Sequence, residues 1–194
     1  MPRLTVPKTP QDLTPDWLTK SLRSSGVIQD VSVSNIEIEP VGAGSGFIGV
    51  CVRITPVYTS SETQPPPSMI AKFPSPDSTA RPVASLIDAQ DREIRFYAEL
   101  AGRVSITTPK MYYSELDESS GDCVLIMEDM SHAEHGDDLQ GRSHQDALFC
   151  ARQLARLHAD WWGDASISEF PGQPQISVQR QQKFQRLWKL CKEK

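Results

Sequence analysis

Residues 42–58 read Gly42-Ala43-Gly44-Ser45-Gly46-Phe47-Ile48-Gly49-Val50-Cys51-Val52-Arg53-Ile54-Thr55-Pro56-Val57-Tyr58, and the nine residues after the last glycine decide the fold. Gly44, Gly46 and Gly49 match G-x-G-x-x-G, a pattern of low specificity on its own. A dinucleotide-binding turn runs from a strand into a helix, whose N-terminus faces the pyrophosphate. Here the glycines lead instead into β-branched and aromatic residues, which is a strand pattern. The dinucleotide reading fails. What is left is strand, glycine turn, strand: an ordinary glycine-rich hairpin or a flap over a ligand.

Upstream of the turn, Val31, Val33, Ile36 and Ile38 give an extended segment with apolar residues recurring along it, ending at Pro40. Before it the spacing predicts a helix capped by Thr14, with Pro15 and Asp16 in its first turn and Gly26 as its stop. Downstream, the polar and proline-rich residues 59–67 form a loop, and Ser68-Met69-Ile70-Ala71-Lys72-Phe73 a short strand closed by Pro74. A helix is predicted over 84–101, stopping at Gly102. Two more strands come next, Lys110-Met111-Tyr112-Tyr113 and Cys123-Val124-Leu125-Ile126-Met127, joined by a turn. Ser143 and Asp146 make a capping-box start for a further helix, which Gly163 ends. Its Ala147, Cys150, Ala151, Leu154, Leu157, His158 and Trp161 share one side. A polar helical segment begins near Val178. Hairpin-length connections make the strands antiparallel, so the class is α+β: a sheet of about five strands with the 84–101 helix packed on one face, then the first helices of a helical part.

Composition narrows the partners. The 194 residues, 38% hydrophobic and 23% charged, are neither a disordered tail nor a fibrous repeat. The longest apolar run, residues 123–127, is far short of the ~20 residues a membrane span needs. A net charge of −5 argues against a nucleic-acid surface. The opening residues Met-Pro-Arg-Leu-Thr-Val-Pro lack the apolar core of a secretory leader, so a cytoplasmic protein is expected. Cys51, Cys123, Cys150 and Cys191 are widely spaced with no C-x-x-C pair. No metal site is expected from them.

Lys72 lies one strand after the glycine turn, in a context like the Val-Ala-Ile-Lys of kinases. Taken alone it is equally a lysine that strand alternation turns to solvent. Glu93 changes the balance. Leu86, Ala89, Phe96, Tyr97 and Leu100 lie three, four or seven residues from it, so it shares the apolar face of its helix. A carboxylate there needs a cation, and Lys72 on the same small sheet is the expected partner. A lysine held by a glutamate beneath a glycine flap is how kinase-like folds position the α- and β-phosphates of ATP.

Three runs together carry a family resemblance: Arg92-Glu93-Ile94-Arg95-Phe96-Tyr97-Ala98-Glu99-Leu100, Thr108-Pro109-Lys110-Met111-Tyr112-Tyr113, and Val124-Leu125-Ile126-Met127-Glu128-Asp129-Met130. In this order they resemble the CHK kinase-like branch of small-molecule kinases. That branch includes ecdysteroid-kinase-like proteins and is related to aminoglycoside phosphotransferases and choline kinases. Gly136-Asp137-Asp138-Leu139-Gln140-Gly141 and Leu154-Ala155-Arg156-Leu157-His158-Ala159-Asp160-Trp161-Trp162 are similar to its next two segments. The resemblance implies a protein-kinase-like N-terminal lobe over 1–127, a hinge and linker over 128–142 and part of a helical C-terminal lobe over 143–194. It implies ATP as cofactor, with Gly44, Gly46 and Gly49 over its phosphates, Lys72 touching them and Glu93 holding Lys72. The backbone from Glu128 to Met130 would take adenine, beside Leu125 or Met127.

In that family a His-Gly-Asp…Asn loop orients the acceptor alcohol and binds Mg²⁺ with a later Asp. Residue 194 falls near where the helix before that loop would begin, so a chain lacking the Mg²⁺ ligands and nearly inactive alone is expected. His135-Gly136-Asp137 is not that loop, because it precedes the 143–162 helix and Arg142 stands where Asn is needed. His132 and His144 are expected on solvated loops and His158 as a hydrogen-bonded core residue beside Trp161 and Trp162. Two alternatives stand beside the truncated kinase: a non-catalytic module of the same fold, binding a partner or a second copy through the exposed lobe interface, and a non-functional fragment.

Overall fold

A computed structural model of the chain describes residues 4–42, 49–60, 65–77, 89–117, 119–133, 136, 140–169, 182, 185 and 188. The first helix forms as its capping signals predict. Thr14 Oγ1 accepts the Trp17 N–H at 3.1 Å, Pro15 opens the first turn, and Gly26 at φ 74° comes after the end of α1 (Pro15–Ser24). Leu18 and Leu22, one turn apart, are fully buried, so the helix has a single inward stripe.

Beyond α1 the chain forms five strands: β1 (Val33–Val41), β2 (Gly49–Tyr58), β3 (Met69–Pro74), β4 (Met111–Leu116) and β5 (Cys123–Glu128). They make one antiparallel sheet in the order β1-β2-β3-β5-β4, with β5 inserted between β3 and β4. The α+β class and the five-stranded antiparallel sheet read from the sequence are therefore the observed ones. At the glycine end, a Cβ on Gly49 would stand 2.7 Å from the Phe73 carbonyl oxygen. Only glycine lets β2 begin that close to β3.

Strand alternation divides the sheet into two faces. One carries Val52, Ile54, Met69, Ala71, Phe73, Tyr113, Val124 and Ile126, which form the core together with Leu13, Leu18, Leu22, Ile28, Val31 and Val33. The helix that seals this core is α1, and Trp17 meets Tyr113 edge to face at 5.6 Å. The Thr19 hydroxyl accepts the Val33 N–H at 2.9 Å, which ties α1 to the start of β1.

The opposite face carries Cys51, Lys72 and Leu125, which stand level with one another across β2, β3 and β5. Beside it runs the helix predicted over 84–101, of which residues 84–88 lie outside the described ones. Its described part is α2 (Ala89–Arg95), followed by a wide turn at Phe96–Leu100 and a tight one at Ala101–Arg103. Gly102 thus sits inside the closing turn instead of stopping a continuous helix. None of these residues is buried, so Glu93 occupies a half-open position and not the dry apolar face inferred from its spacing.

The last long helix, α3 (His144–Asp160), has the expected capping box. The Ser143 hydroxyl accepts the Asp146 N–H at 3.1 Å, and the Asp146 carboxylate accepts the Ser143 N–H at 3.3 Å. Most of its expected inward face is exposed, with Leu157 and Trp161 half-buried. Leu154 is 53% exposed and His158 is exposed, which corrects the expectation of a core histidine. The end of α3 is held by the Ser105 N–H donating to Asp160 at 2.8 Å and by the Arg103 guanidinium 4.5 Å above the Trp161 ring. Gln182, Gln185 and Trp188 are helical, as read for the final segment.

Candidate functional site

The site grows from the row Cys51–Lys72–Leu125. With Ala71 and Phe73 committed to the core, the period of two sends Lys72 to the other face. There its Nζ donates to Glu93 Oε1 of α2 in a direct ion pair, 21 residues apart in sequence. The lysine does not simply point to solvent. Its side chain is 34% exposed and that of Glu93 36%, so the pair is reachable from outside while fixed in place.

A cavity of about 250 Å³ opens between the sheet and α2, lined by Gly49, Lys72, Gln90, Glu93, Ile94 and Leu125 among others. It places the ammonium, the carboxylate and the first residue of β2 around one space. Two further groups feel the pair. Burial pushes the Cys51 thiol up, with Lys72 pulling in the other direction. Burial also raises the Tyr97 phenol, and the Glu93 charge adds to that. Both are neutral groups at physiological pH, so Lys72 and Glu93 are the charges that define this corner.

At the far end of β5 the hinge expectation meets specific hydrogen bonds. The Glu128 N–H donates to the Lys110 carbonyl at 2.8 Å, and its carboxylate accepts the Lys110 N–H at 3.0 Å. Glu128 is thereby tied to the segment entering β4, and its N–H is not open to a ligand. The Met130 carbonyl accepts the Ala133 N–H at 2.8 Å, forming a tight turn. Leu125 and Met127 are buried on the Lys72 face, with Met127 level with Ile70.

One pairing here escaped sequence reasoning. Arg53 Nε donates to Asp129 Oδ2 at 2.7 Å, 76 residues away in sequence. Burial alone would push the Asp129 carboxyl up. Hydrogen bonds from Arg53, Ser68 and the Ser131 N–H outweigh it and hold the group below the usual carboxylate range. The signal that could have found the pair is alternation. Arg53 is two residues after Cys51 and so projects on the Lys72 face, a cation in an otherwise apolar strand.

Gly44 and Gly46 lie outside the described residues, as do His135 and Asp137 of the His-Gly-Asp run. His132 and His144 are exposed. Among the described residues no group of three or more His, Cys, Asp or Glu side chains is arranged to hold a metal ion, and no helix is long and apolar enough to cross a membrane.

The model of one protein family, the ecdysteroid kinase-like family, matches residues 43–160. That span runs from the glycine turn to the end of α3 and contains Lys72, Glu93 and the Glu128–Met130 segment. No curated protein and no solved structure matches the chain.

Proposed function

Because this chain belongs to the ecdysteroid kinase-like family, we propose that its sheet and α2 form the nucleotide-binding part of a kinase that moves the γ-phosphoryl of ATP to an alcohol on a small molecule. The observation that carries this reading is the Lys72–Glu93 pair at the edge of the cavity beside Gly49. An ammonium has three donors, and the carboxylate takes up one of them. The others remain for phosphate oxygens, at a position that the carboxylate fixes before any ligand arrives.

The chemistry of the donors fits a nucleotide in both of its parts. Lys72 supplies charge for the α- and β-phosphates, and Gly49 at the cavity carries no side chain to block a ligand's approach to the backbone. Leu125 lines the cavity, and Ile70 and Met127, level with each other further along the same face, would extend an apolar slot for a purine. Because the Glu128 N–H is engaged by Lys110, the Met130 N–H is the donor assigned to adenine. Mg²⁺, when bound with the nucleotide, neutralises charge on the phosphates during transfer. Among the described residues no group of three or more His, Cys, Asp or Glu side chains is arranged to hold it.

Phosphoryl transfer depends on positioning and charge neutralisation, and a carboxylate must orient the acceptor hydroxyl. Among the described residues that line the cavity, none supplies such a group across from Lys72. In this reading the chain binds ATP and is inactive or nearly so in transfer.

The test is titration of a fluorescent ATP analogue into the purified chain, followed by a coupled assay for ADP. Lys72→Ala should weaken binding by about 10- to 100-fold, the scale of a charge-assisted hydrogen bond. Glu93→Gln should weaken it less, by about tenfold, because the ammonium survives without its brace. Binding that is indifferent to both changes would remove the nucleotide reading. Turnover abolished by Lys72→Ala would keep that reading and overturn the expected inactivity.

A further inference from the structure

Asp129 fastens the hinge to the sheet. Its side chain is 5% exposed. Oδ2 accepts from Arg53 Nε at 2.7 Å and from the Ser68 hydroxyl at 2.8 Å, while Oδ1 accepts the Ser131 N–H at 3.0 Å. These donors come from the middle of β2, from the residue just before β3, and from the turn after β5. Arg53 also faces Glu39 of β1 at 4.0 Å. A carboxylate this nearly excluded from water requires its charge and lone pairs to be met, and every group that meets them borders the Lys72 face or the hinge.

The position of Arg53 gives the cluster its meaning. It stands level with Ile70, which in turn is level with Met127, so its guanidinium rises at the purine end of the proposed slot. An arginine there would be expected to contact a ligand. Its Nε is instead turned onto Asp129. We propose that Asp129 is a positioning residue for adenine: through Arg53 and Ser68 it fixes the distance between the roof strand β2 and the backbone of residues 128–130, so the Met130 N–H meets the base in one geometry. This rests on the nucleotide reading of the Lys72 cavity. It adds to that reading a residue which touches no part of the nucleotide and yet sets its affinity at one end only.

The division between the two ends of the nucleotide provides the test. Adenosine and inorganic tripolyphosphate are titrated separately, by calorimetry, into the full chain and into Asp129→Asn and Arg53→Lys, each first shown to unfold in one native-like thermal transition. Amide exchange is monitored at Ser131 and Ala133. In Asp129→Asn, adenosine affinity should fall about tenfold, as expected for lost charge-assisted bonds, and tripolyphosphate affinity should change by less than about twofold. Exchange at both amides should quicken. Arg53→Lys keeps the charge without the fixed Nε donor and should move the same readouts in the same direction; it carries the test if Asp129→Asn does not fold.

Equal losses for adenosine and tripolyphosphate would assign Asp129 to general stability and overturn the proposal. A wild-type chain that binds both probes, with variants indistinguishable from it, overturns the clamp alone. A wild-type chain that binds neither probe removes the nucleotide reading, and this proposal falls with it.

Discussion

Lys72 and Glu93 meet at a position open enough to limit what their contact does for folding. With about a third of each side chain exposed, solvent screens the pair to about 0–1 kcal/mol. A brace so weak in stability is informative about its use: it orders a cation at a cavity, and its loss should be read in binding before it is read in thermal unfolding. Two other residues tie stability to pH with opposite signs. Burial and then the neighbouring Tyr112 push the Tyr58 phenol up to about 12, and its hydroxyl donates to the Pro66 carbonyl at 2.9 Å. A raised pKa contributes stability that is complete below the unfolded value of 10 and is lost as pH climbs from there toward 12. Asp129 is depressed below 3.8, so its contribution is complete above that value and is lost as pH falls beneath it. Urea midpoints across pH should show both limbs. Tyr58→Phe should flatten the alkaline one and leave the acid one in place.

The elements differ in how far their own residues determine them. α3 is specified locally. Its capping box, its first-turn Asp146 and the left-handed Gly163 at φ 77° all act within four or five residues. Ser143→Ala removes the acceptor for the Asp146 N–H and should cost the helix about 1 kcal/mol. The effect should be read as faster amide exchange over the first turn, where Ala147 N–H bonds to the Ser143 carbonyl. The helix that carries Glu93 is a different case. Its apolar spacing predicts an unbroken helix to Gly102, whereas the chain widens into a looser turn at Phe96–Leu100. Arg95 bonds back to Asp91 at 2.9 Å and lies 3.7 Å from Glu99, and Phe96 packs edge to face on Tyr97 at 5.3 Å. Periodicity registers which residues share a side. It carries no information about a turn that takes one extra residue.

Across the molecule, the weight of the core falls between the sheet and α1. Leu22 is fully buried there, and Leu22→Ala should cost about 2–5 kcal/mol. Leu154 on α3 is 53% exposed, and Leu154→Ser should stay within about 0.5 kcal/mol. Denaturant unfolding of the two variants compares the layers directly; similar losses would mean that the apolar side of α3 is covered after all. The order of elements, their caps, the passage from glycine turn into strand and the coupling of Lys72 to Glu93 were legible in the residues alone. Each depends on near neighbours along the chain or on the cost of an unmatched charge. Which helix seals the sheet was decided only by the assembled fold. So were the half-open setting of Glu93, the exposed side of α3 and the reach of Arg53 across 76 residues to Asp129. The physical reason is that burial and long-range charge pairing are properties of strand register and layer order. A one-dimensional pattern records which side chains want a partner, and only the packed sheet determines which of them receive one.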